Sequence, residues 1–429
     1  MTSVARAESV TPKARIDLPM PRRADGDVGA RPARKQRLAV VAACGLAAVV
    51  SALEIRRAHI HGLDWGFFVR ARDALLSGHS LRGLTPDYGP LYTHDAGGLH
   101  LYATDKLIHF GPLSILFGFL PAGPMSATYA KWFDFIAGLL VVAFLVWALR
   151  ERWDPRFRWT MPLALGALSV AWVEAGVWWA HPDDLAVATT SILAATALSR
   201  RRWLMAGVLL GAGCAFSMKA IFFLPLILAV PRGRLRLRAA AYGAVLPCLA
   251  WLPFVVADPR TLAHLSAADR VWADSVWHVL GIAHVAVDHE WAAARPVQLV
   301  ACLAVGLLLR QRRVEPAQMV LAVVATRIAL DTITVTYVML SVVAAGLCAD
   351  ILARRPLTGR FTLLAAAFAG VPSLTGDPVA RAVTRTLLWC LILLWAARQP
   401  TGTSARRIGS TAVRSAPVSP TLSPVGANP

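Results

Sequence analysis

The chain has 429 residues, of which 56% are hydrophobic and only 16% are charged, with a mean hydropathy of +0.54. A soluble domain carries roughly 25% charged residues, so this composition excludes an ordinary soluble protein. Apolar runs recur from residue 38 to residue 398, and each is close to the roughly 20 residues that cross a bilayer as a helix. Strands of a membrane barrel would alternate in polarity, so the pattern predicts an all-α polytopic membrane helical bundle.

The formal net charge of +19 does not indicate nucleic-acid binding. The basic residues cluster between apolar segments, as the positive-inside rule expects of cytoplasmic turns. This indicates a multi-pass plasma-membrane protein whose partner is the lipid bilayer, with no nucleic acid. The six cysteines all lie in apolar segments, which favours small core residues over disulfides or metal ligands.

Three regions follow from the composition along the chain. Residues 1–37 contain nine basic and four acidic residues with several prolines, which predicts a disordered cytoplasmic arm. Residues 38–398 form the transmembrane domain, whose loops at 54–106 and 258–295 are long enough to carry short interfacial helices on the outer face. Residues 399–429 are rich in Pro, Ser and Thr and are predicted to be a disordered cytoplasmic tail.

Arginine-rich turns determine the predicted topology. The first membrane helix is expected at 38–54, and residues 107–121 are expected to be a short interfacial or re-entrant helix. Further spans are expected at 126–149, 160–180, 185–199, 203–217, 220–231, 239–257, 296–310, 317–330, 332–350, 361–376 and 383–398. This gives about twelve crossings and puts all eleven histidines at the outer face or its border, so we expect the chemistry on the outer, periplasmic side.

The first outer loop contains the strongest candidate for catalysis. Asp64 follows the first helix and precedes Trp65, and the apolar spacing of residues 65–76 predicts an amphipathic interfacial helix. Partial desolvation there strengthens a carboxylate as a base, which favours Asp64 as a catalytic residue. A helix N-cap or an arginine partner is the structural alternative for Asp64. The neighbouring Trp65 is expected to contact the substrate.

The stretch His181-Pro182-Asp183-Asp184 lies between two apolar helices at the outer surface. Paired carboxylates beside a histidine could bind sugar hydroxyls or a divalent cation. Asp183 or Asp184 could instead cap the helix that begins there. No spacing in the chain is diagnostic of a zinc site, so the sequence predicts no particular metal and no certain cofactor.

Lys219 interrupts a long apolar stretch, and a lysine in such a setting marks a functional site by default. Near the outer interface its point charge suits a lipid phosphate, although a snorkelling lysine is the alternative. Arg56 and Arg57 flank the first loop and could hold the same phosphate, or meet only lipid headgroups.

The order of these features resembles the first outer loop of GT-C glycosyltransferases. The matching residues are Asp64-Trp65-Gly66-Phe67-Phe68, then Ala71 through Leu75, then Ser77-Gly78-His79-Ser80, followed by the apolar segment Phe110 through Pro121 and by Gly211-Ala212-Gly213 through Lys219. The stretch is most similar to the polyprenyl-phosphate-mannose-dependent α-mannosyltransferases of actinobacteria, the family that includes the phosphatidylinositol-mannoside elongating enzyme. The resemblance covers roughly residues 38–240. Phe68 stands where the family often has tyrosine, and His181-Pro182-Asp183-Asp184 replaces a Gly/Gln/Asn-type turn.

The resemblance implies a GT-C-like fold and a polyprenyl-phosphate-sugar-dependent hexosyltransferase of the cell envelope. Such an enzyme moves mannose from a lipid-phosphate donor to a glycolipid or polysaccharide acceptor by an inverting single displacement. Asp64 is then the general base, and Lys219, Arg56 or Arg57 offset the charge of the leaving phosphate. A multi-pass transporter or lipid flippase is the alternative function, and a noncatalytic envelope-assembly subunit is a third. The sequence leaves the sugar, the acceptor and the linkage open.

Overall fold

The computed structural model describes residues 65–77, 97–104, 108, 110–120, 126–149, 152, 159–264, 271–282, 293–332, 338–353 and 357–398. Within these ranges the chain is all-helical, with no β-strand. The α-helices are α1 (Trp65–Ser77), α2 (Leu101–Thr104), α3 (Ser126–Leu149), α4 (Thr160–Val173), α5 (Pro182–Ser199), α6 (Trp203–Phe216), α7 (Arg234–Ala257), α8 (Arg260–His264), α9 (Val276–Val279), α10 (Ala294–Gln311), α11 (Pro316–Ala329), α12 (Met339–Leu352), α13 (Arg360–Gly370) and α14 (Pro378–Arg398). Segments of 3₁₀ helix occupy Gly98–His100, Pro112–Phe119, Met218–Ala229 and Val371–Leu374, and Glu174–Trp178 is a π-helical turn.

The positions of the helices agree with the apolar pattern of the sequence. Every span predicted from residue 126 onward overlaps an observed helix. Among the described residues, four helices are long and apolar enough to cross a membrane: Lys131–Leu149, Thr160–Trp178, Arg234–Ala257 and Pro378–Arg398. The prediction of about twelve crossings stays a prediction, and the terminal arm, the first membrane helix and the tail lie outside the described residues.

The helices divide into a buried centre and an apolar rim. In α11 every residue after Pro316 is buried, and in α12 every residue before Leu352 is buried. Helices α3, α7, α10 and α14 instead leave large side chains on the surface, including Leu140, Leu249, Leu308 and Leu391, each more than half exposed. An apolar surface of this extent is unfavourable in water and fits contact with lipid acyl chains.

Glycines allow α6 and α7 to approach each other closely. A Cβ atom added at Gly207 would lie 2.0 Å from the carbonyl oxygen of Ala239, and one at Gly211 would lie 2.0 Å from that of Gly243. No side chain fits at these positions, so the two backbones are in direct contact. Small residues spaced four apart are the usual means of packing helices when lipid supplies no hydrophobic drive.

The contacts between helix termini define two ends of the bundle. At one end Arg200 Nη2 donates to the carbonyl oxygen of Ala148 at 3.1 Å, and Arg236 donates to Leu228 and Val230. We call this the arginine-turn end. At the opposite end, which we call the loop end, Arg295 contacts Asp331 at 2.9 Å.

The span predicted at 220–231 is short for a membrane helix and contains Pro225. The structure resolves this as a continuous 3₁₀ helix with Pro225 inside it. At about 2.0 Å per residue, a 3₁₀ helix covers more length than an α-helix of the same number of residues. Lys219 lies in its first turn, at the loop end.

The amphipathic helix predicted at 65–76 is confirmed as α1. Its residues Trp65, Phe68, Ala71 and Ala74 are buried in an apolar cluster. The predicted short segment at 107–121 contains the 3₁₀ helix Pro112–Phe119, which packs against α1 so closely that a Cβ atom at Gly118 would lie 2.2 Å from the carbonyl oxygen of Phe68. The loop-end helices therefore pack on one another.

Candidate functional site

An irregular turn presents His181 at the loop end. Helix α4 widens into the π-helical turn Glu174–Trp178, and Ala180 follows with a φ of 56°. Residues other than glycine rarely adopt this left-handed conformation, which costs about 1–3 kcal/mol. The backbone N–H of His181 donates to Ala175 at 2.9 Å, and Pro182 then begins α5. π-helical turns and strained residues of this kind are frequent at functional sites.

The side chains that follow this turn form an ion-paired group. His181 Nδ1 lies 3.2 Å from Asp183 Oδ1. Lys219 Nζ lies 3.0 and 2.9 Å from the two carboxylate oxygens of Asp184, and 3.9 Å from Asp183 Oδ2. Both aspartates are at most 1% exposed. The structure thus brings together four of the residues that the sequence singled out.

These contacts decide between the alternatives for this stretch. The N-cap position of α5 is occupied by His181, and no side chain caps the helix. Asp183 and Asp184 lie in the first turn, where their charges favour the positive end of the helix dipole, but they are not N-caps. Lys219 does not extend toward solvent, because its ammonium is bound to Asp184 and the side chain is only 15% exposed.

Asp134 adds a third carboxylate that the sequence reasoning missed. Trp172 donates to its backbone oxygen at 2.8 Å, and a Cβ atom at Gly176 would lie 3.0 Å from the Asp134 Cβ. Its side chain is 1% exposed, and its carboxylate interacts electrostatically with His181 and Asp183. Neither carboxylate oxygen accepts a hydrogen bond from the part of the chain that the structure describes. The rule that identified Lys219, a lone charge in an apolar helix, would also have identified Asp134.

We call Asp134, His181, Asp183, Asp184 and Lys219 the acidic cluster. The described members of this cluster are three buried carboxylates, one ammonium and one imidazole. Charges buried without compensation are costly. The cluster can therefore bind a cation, or present several acceptors to a ligand that donates hydrogen bonds.

A second buried group at the loop end is rich in arginine and was not predicted. Asp331 is shared between Arg295, 2.9 Å from its Oδ1, and Arg327, 3.0 Å from its Oδ2. Burial raises the pKa of Asp331, but the charges of Arg295, Arg327 and Lys219 outweigh it and hold that pKa below its ordinary value. The carboxylate therefore stays ionised between its two guanidinium partners.

Arg381 and Arg385 at the start of α14 extend this group through Asp274. Arg385 Nη1 donates to the Asp274 carbonyl at 3.1 Å, and Arg381 Nη1 lies 3.5 Å from the Asp274 carboxylate. We call Asp274, Arg295, Arg327, Asp331, Arg381 and Arg385 the arginine cluster. Among these described residues four guanidinium groups face two carboxylates, which leaves two positive charges in excess.

Arg327 lies against the 3₁₀ helix that carries Lys219. Its guanidinium lies over the ring of Phe222 at 5.8 Å, and Phe222 is one 3₁₀ turn after Lys219 on the same face of the helix. The side chain is 3% exposed, and its Nε and Nη1 have no hydrogen-bond partner within the described ranges. Two unpaired donors of one guanidinium are suited to a carboxylate or phosphate.

Helix α1 packs beside the acidic cluster. Its apolar cluster includes Ala180 and Met218, the residues immediately before His181 and Lys219. Trp65, predicted to contact substrate, is 2% exposed with its ring 5.9 Å from that of Phe68, so it forms part of the wall between α1 and the bundle. Asp64, Arg56 and Arg57 lie outside the described residues.

A scan against models of protein families, a search of curated proteins and a search of solved structures each found no match to this chain.

Proposed function

We propose that this protein is a membrane glycosyltransferase that moves a sugar from a polyprenyl-phosphate donor to a lipid or glycan acceptor of the cell envelope at its outer face. Mannose is the sugar that the family resemblance implies. The observation that carries the proposal is the group of four arginines around two aspartates at the loop end, with Arg327 and Arg385 buried and Lys219 acting electrostatically on Asp331. A group of this kind favours the binding of an anion such as a phosphate.

The arginine cluster supports a phosphate donor on energetic grounds. Arg327 and Arg385 are at most 4% exposed, so water cannot fully solvate their charges, and a bound phosphate would lower that cost. The surrounding helices leave apolar side chains on their surfaces, which suit a polyprenyl tail. A soluble nucleotide sugar would need no such apolar surroundings.

The acidic cluster supports a polyol as the transferred group. Its carboxylates and imidazole offer several hydrogen-bond acceptors, and the hydroxyl groups of a sugar are donors that match them. The two clusters meet at Lys219, which is bound to Asp184 and acts electrostatically on Asp331. A sugar phosphate placed across Lys219 would have its hydroxyls on one side and its phosphate on the other.

The reaction is a single displacement with inversion at the anomeric carbon. The acceptor hydroxyl oxygen forms a bond to that carbon as the bond to the phosphate oxygen breaks, and polyprenyl phosphate leaves with the electron pair. The proton of the acceptor hydroxyl passes to a base, for which Asp64 is the candidate. Arg327 and Lys219 stabilise the negative charge that grows on the leaving phosphate.

Transfer by the purified full-length protein in lipid vesicles tests the proposal. Radiolabelled polyprenyl-phosphate-mannose is supplied with total envelope lipids, and we expect label in a new product with release of polyprenyl phosphate. Movement of intact donor across the bilayer without bond cleavage would instead identify a flippase. If folded protein gives neither transfer nor translocation with this donor, the proposal is wrong.

Replacing Arg327 tests the phosphate site. Arg327→Gln removes a hydrogen-bonded charge, worth about 1.5–3 kcal/mol, so we expect the KM for the donor to rise roughly 10- to 100-fold. Arg398→Gln, at the exposed end of α14, is the control and should leave KM unchanged. An unchanged donor KM in folded Arg327→Gln would remove the arginine cluster from donor binding.

Replacing Asp64 tests the base. Asp64→Asn keeps the size of the side chain but cannot accept the proton, so we expect kcat to fall roughly 100- to 10,000-fold with donor binding retained. Asn caps helices about as well as Asp, so a purely structural Asp64 would give a nearly silent substitution. Asp73→Asn, on α1 beside its partner Arg72, is the control from the same loop.

A further inference from the structure

We propose that the arginine-turn end binds the headgroup of an anionic phospholipid between Arg232 and Arg310. The two arginines belong to different turns: Arg232 precedes α7, and Arg310 lies in the last turn of α10. The site is at the opposite end of the bundle from the acidic cluster and the arginine cluster. The inference therefore goes beyond the proposed function and does not rest on it.

The fold brings positive charges from distant parts of the chain together at this site. Arg232 and Arg310 both act electrostatically on Arg236, which lies in the first turn of α7. Helix α7 packs on α6, whereas α10 packs on α11, so tertiary packing places these guanidinium groups near one another. Arginine stays charged in proteins, and neighbouring like charges repel. An anion bound among the three groups would offset that repulsion.

The guanidinium groups of Arg232 and Arg310 are available to a ligand. Arg236 is held in place, because it donates to backbone carbonyl oxygens at the end of the preceding 3₁₀ helix. Arg232 and Arg310 are exposed, and neither forms an ion pair with a carboxylate among the described residues, including Glu315 in the turn after α10. Guanidinium groups bind phosphate through paired N–H donors, so the site suits a phosphate ester.

The apolar surroundings of the site favour a lipid over a free phosphate. Leu307 and Leu303 lie one and two turns before Arg310 on the same face of α10. Leu237 follows Arg236 on α7, and all three leucines are more than half exposed. Acyl chains can pack against these leucines while the headgroup phosphate contacts the arginines. An amphiphile fits both parts of the surface, and a soluble phosphate fits only one.

Exposed tryptophans indicate that this end of the bundle lies at the level of lipid headgroups. Trp147 near the end of α3 and Trp159 just before α4 are both more than half exposed, and the guanidinium of Arg200 lies 5.9 Å from the ring of Trp147. Tryptophan is enriched at the membrane–water interface. Basic residues at the same depth bind anionic headgroups, so the partner of this surface is an anionic phospholipid.

Native mass spectrometry of the full-length protein in detergent tests the site. The protein is incubated with equal amounts of phosphatidylglycerol and phosphatidylcholine of different acyl mass, and the lipid molecules that stay bound are counted. We expect the parent to retain phosphatidylglycerol in preference to phosphatidylcholine. Combining Arg232→Gln with Arg310→Gln should reduce that preference roughly tenfold.

The matched control combines Arg201→Gln with Arg398→Gln. It removes the same charge from two exposed arginines elsewhere at the arginine-turn end, and it should keep the parent's preference for phosphatidylglycerol. An equal loss of preference in this control would mean that the lipid responds to diffuse positive charge and would overturn the site.

Thermal unfolding of the same samples separates a lipid site from a free-phosphate site and from a folding defect. Phosphatidylglycerol should raise the midpoint of the parent but not that of the Arg232→Gln and Arg310→Gln double variant. Glycerol phosphate, which has the headgroup phosphate without acyl chains, should raise neither. Without added lipid the double variant should unfold at or above the parent midpoint, because it loses charge repulsion and no ion pair among the described residues.

Three further outcomes would each overturn the inference. They are equal retention of the two lipids by the parent, equal stabilisation of the parent by glycerol phosphate and by phosphatidylglycerol, and a much lower lipid-free midpoint of the double variant. Because no sugar donor or acceptor is present, all of these outcomes are independent of sugar transfer.

Discussion

The acidic cluster and the arginine cluster lie at the same end of the bundle, but their buried carboxylates are paired differently. In the arginine cluster Asp331 is held by Arg295 and Arg327 together. In the acidic cluster Lys219 pairs with Asp184, and the carboxylate of Asp134 has no hydrogen-bond partner among the described residues. One cluster therefore holds its carboxylate between two guanidinium groups, and the other contains a buried carboxylate that no described side chain hydrogen-bonds.

The comparison shows that burial alone does not determine how much a charged residue contributes to the stability of the fold. Asp134 is 1% exposed and Asp331 is 2% exposed. Asp331→Asn leaves two guanidinium groups without their shared partner, whereas Asp134→Asn removes no hydrogen bond among the described residues. The same Asp-to-Asn substitution is therefore expected to cost much more stability at Asp331 than at Asp134.

The largest expected effect is that of Asp331→Asn. Breaking a buried ion pair by removing one partner costs about 3–5 kcal/mol, so this variant should unfold at a much lower temperature than the parent in detergent. Asp377→Asn is the control, because Asp377 accepts from the Ala380 N–H at an exposed helix start and Asn preserves that cap. A midpoint for Asp331→Asn close to the parent's would show that the arginine cluster does not depend on its shared carboxylate.

A smaller effect is expected when the pair that joins the two clusters is broken. Lys219→Met should cost about 2–3 kcal/mol, because Asp184 is then left without its buried cation. Adding Asp184→Asn should restore part of that loss, and Lys219→Arg should retain more stability than Lys219→Met because the charge survives. Thermal unfolding of the two single variants and the double variant measures the coupling free energy between the side chains of Lys219 and Asp184. Strictly additive losses would mean that the two side chains act independently.

The smallest effect is expected at a pair of the same loop end that has one exposed partner. Arg260 contacts Asp258 at 2.7 Å, and the side chain of Arg260 is 73% exposed whereas that of Asp258 is 7% exposed. Such a pair contributes little because water solvates the exposed guanidinium. Arg260→Ala should therefore leave the unfolding midpoint unchanged within error, and a shift as large as that of Lys219→Met would contradict the distinction between buried and exposed pairs.

Several features of the site were predictable from the sequence and others were not. Lys219, His181, Asp183 and Asp184 were selected because polar residues in apolar surroundings are conspicuous, and Asp134 satisfies the same criterion. Asp331 was not selected because it lies between two predicted spans, where charge is ordinary, and Arg327 was not selected although it lies inside the predicted span 317–330. Their importance depends on contacts with Arg295 and Phe222, which are distant in the sequence.

The sequence by itself determined the class of protein and the position of its helices, because hydrophobicity and helix length are local properties read over about 20 residues. It also determined that α1 is amphipathic, since the spacing of its apolar residues is local. Only the tertiary structure decided that Lys219 binds Asp184, that Asp134 joins them, and that Arg327 lies over Phe222. These contacts join residues on different elements of the fold, so no local pattern in the sequence shows which side chains meet.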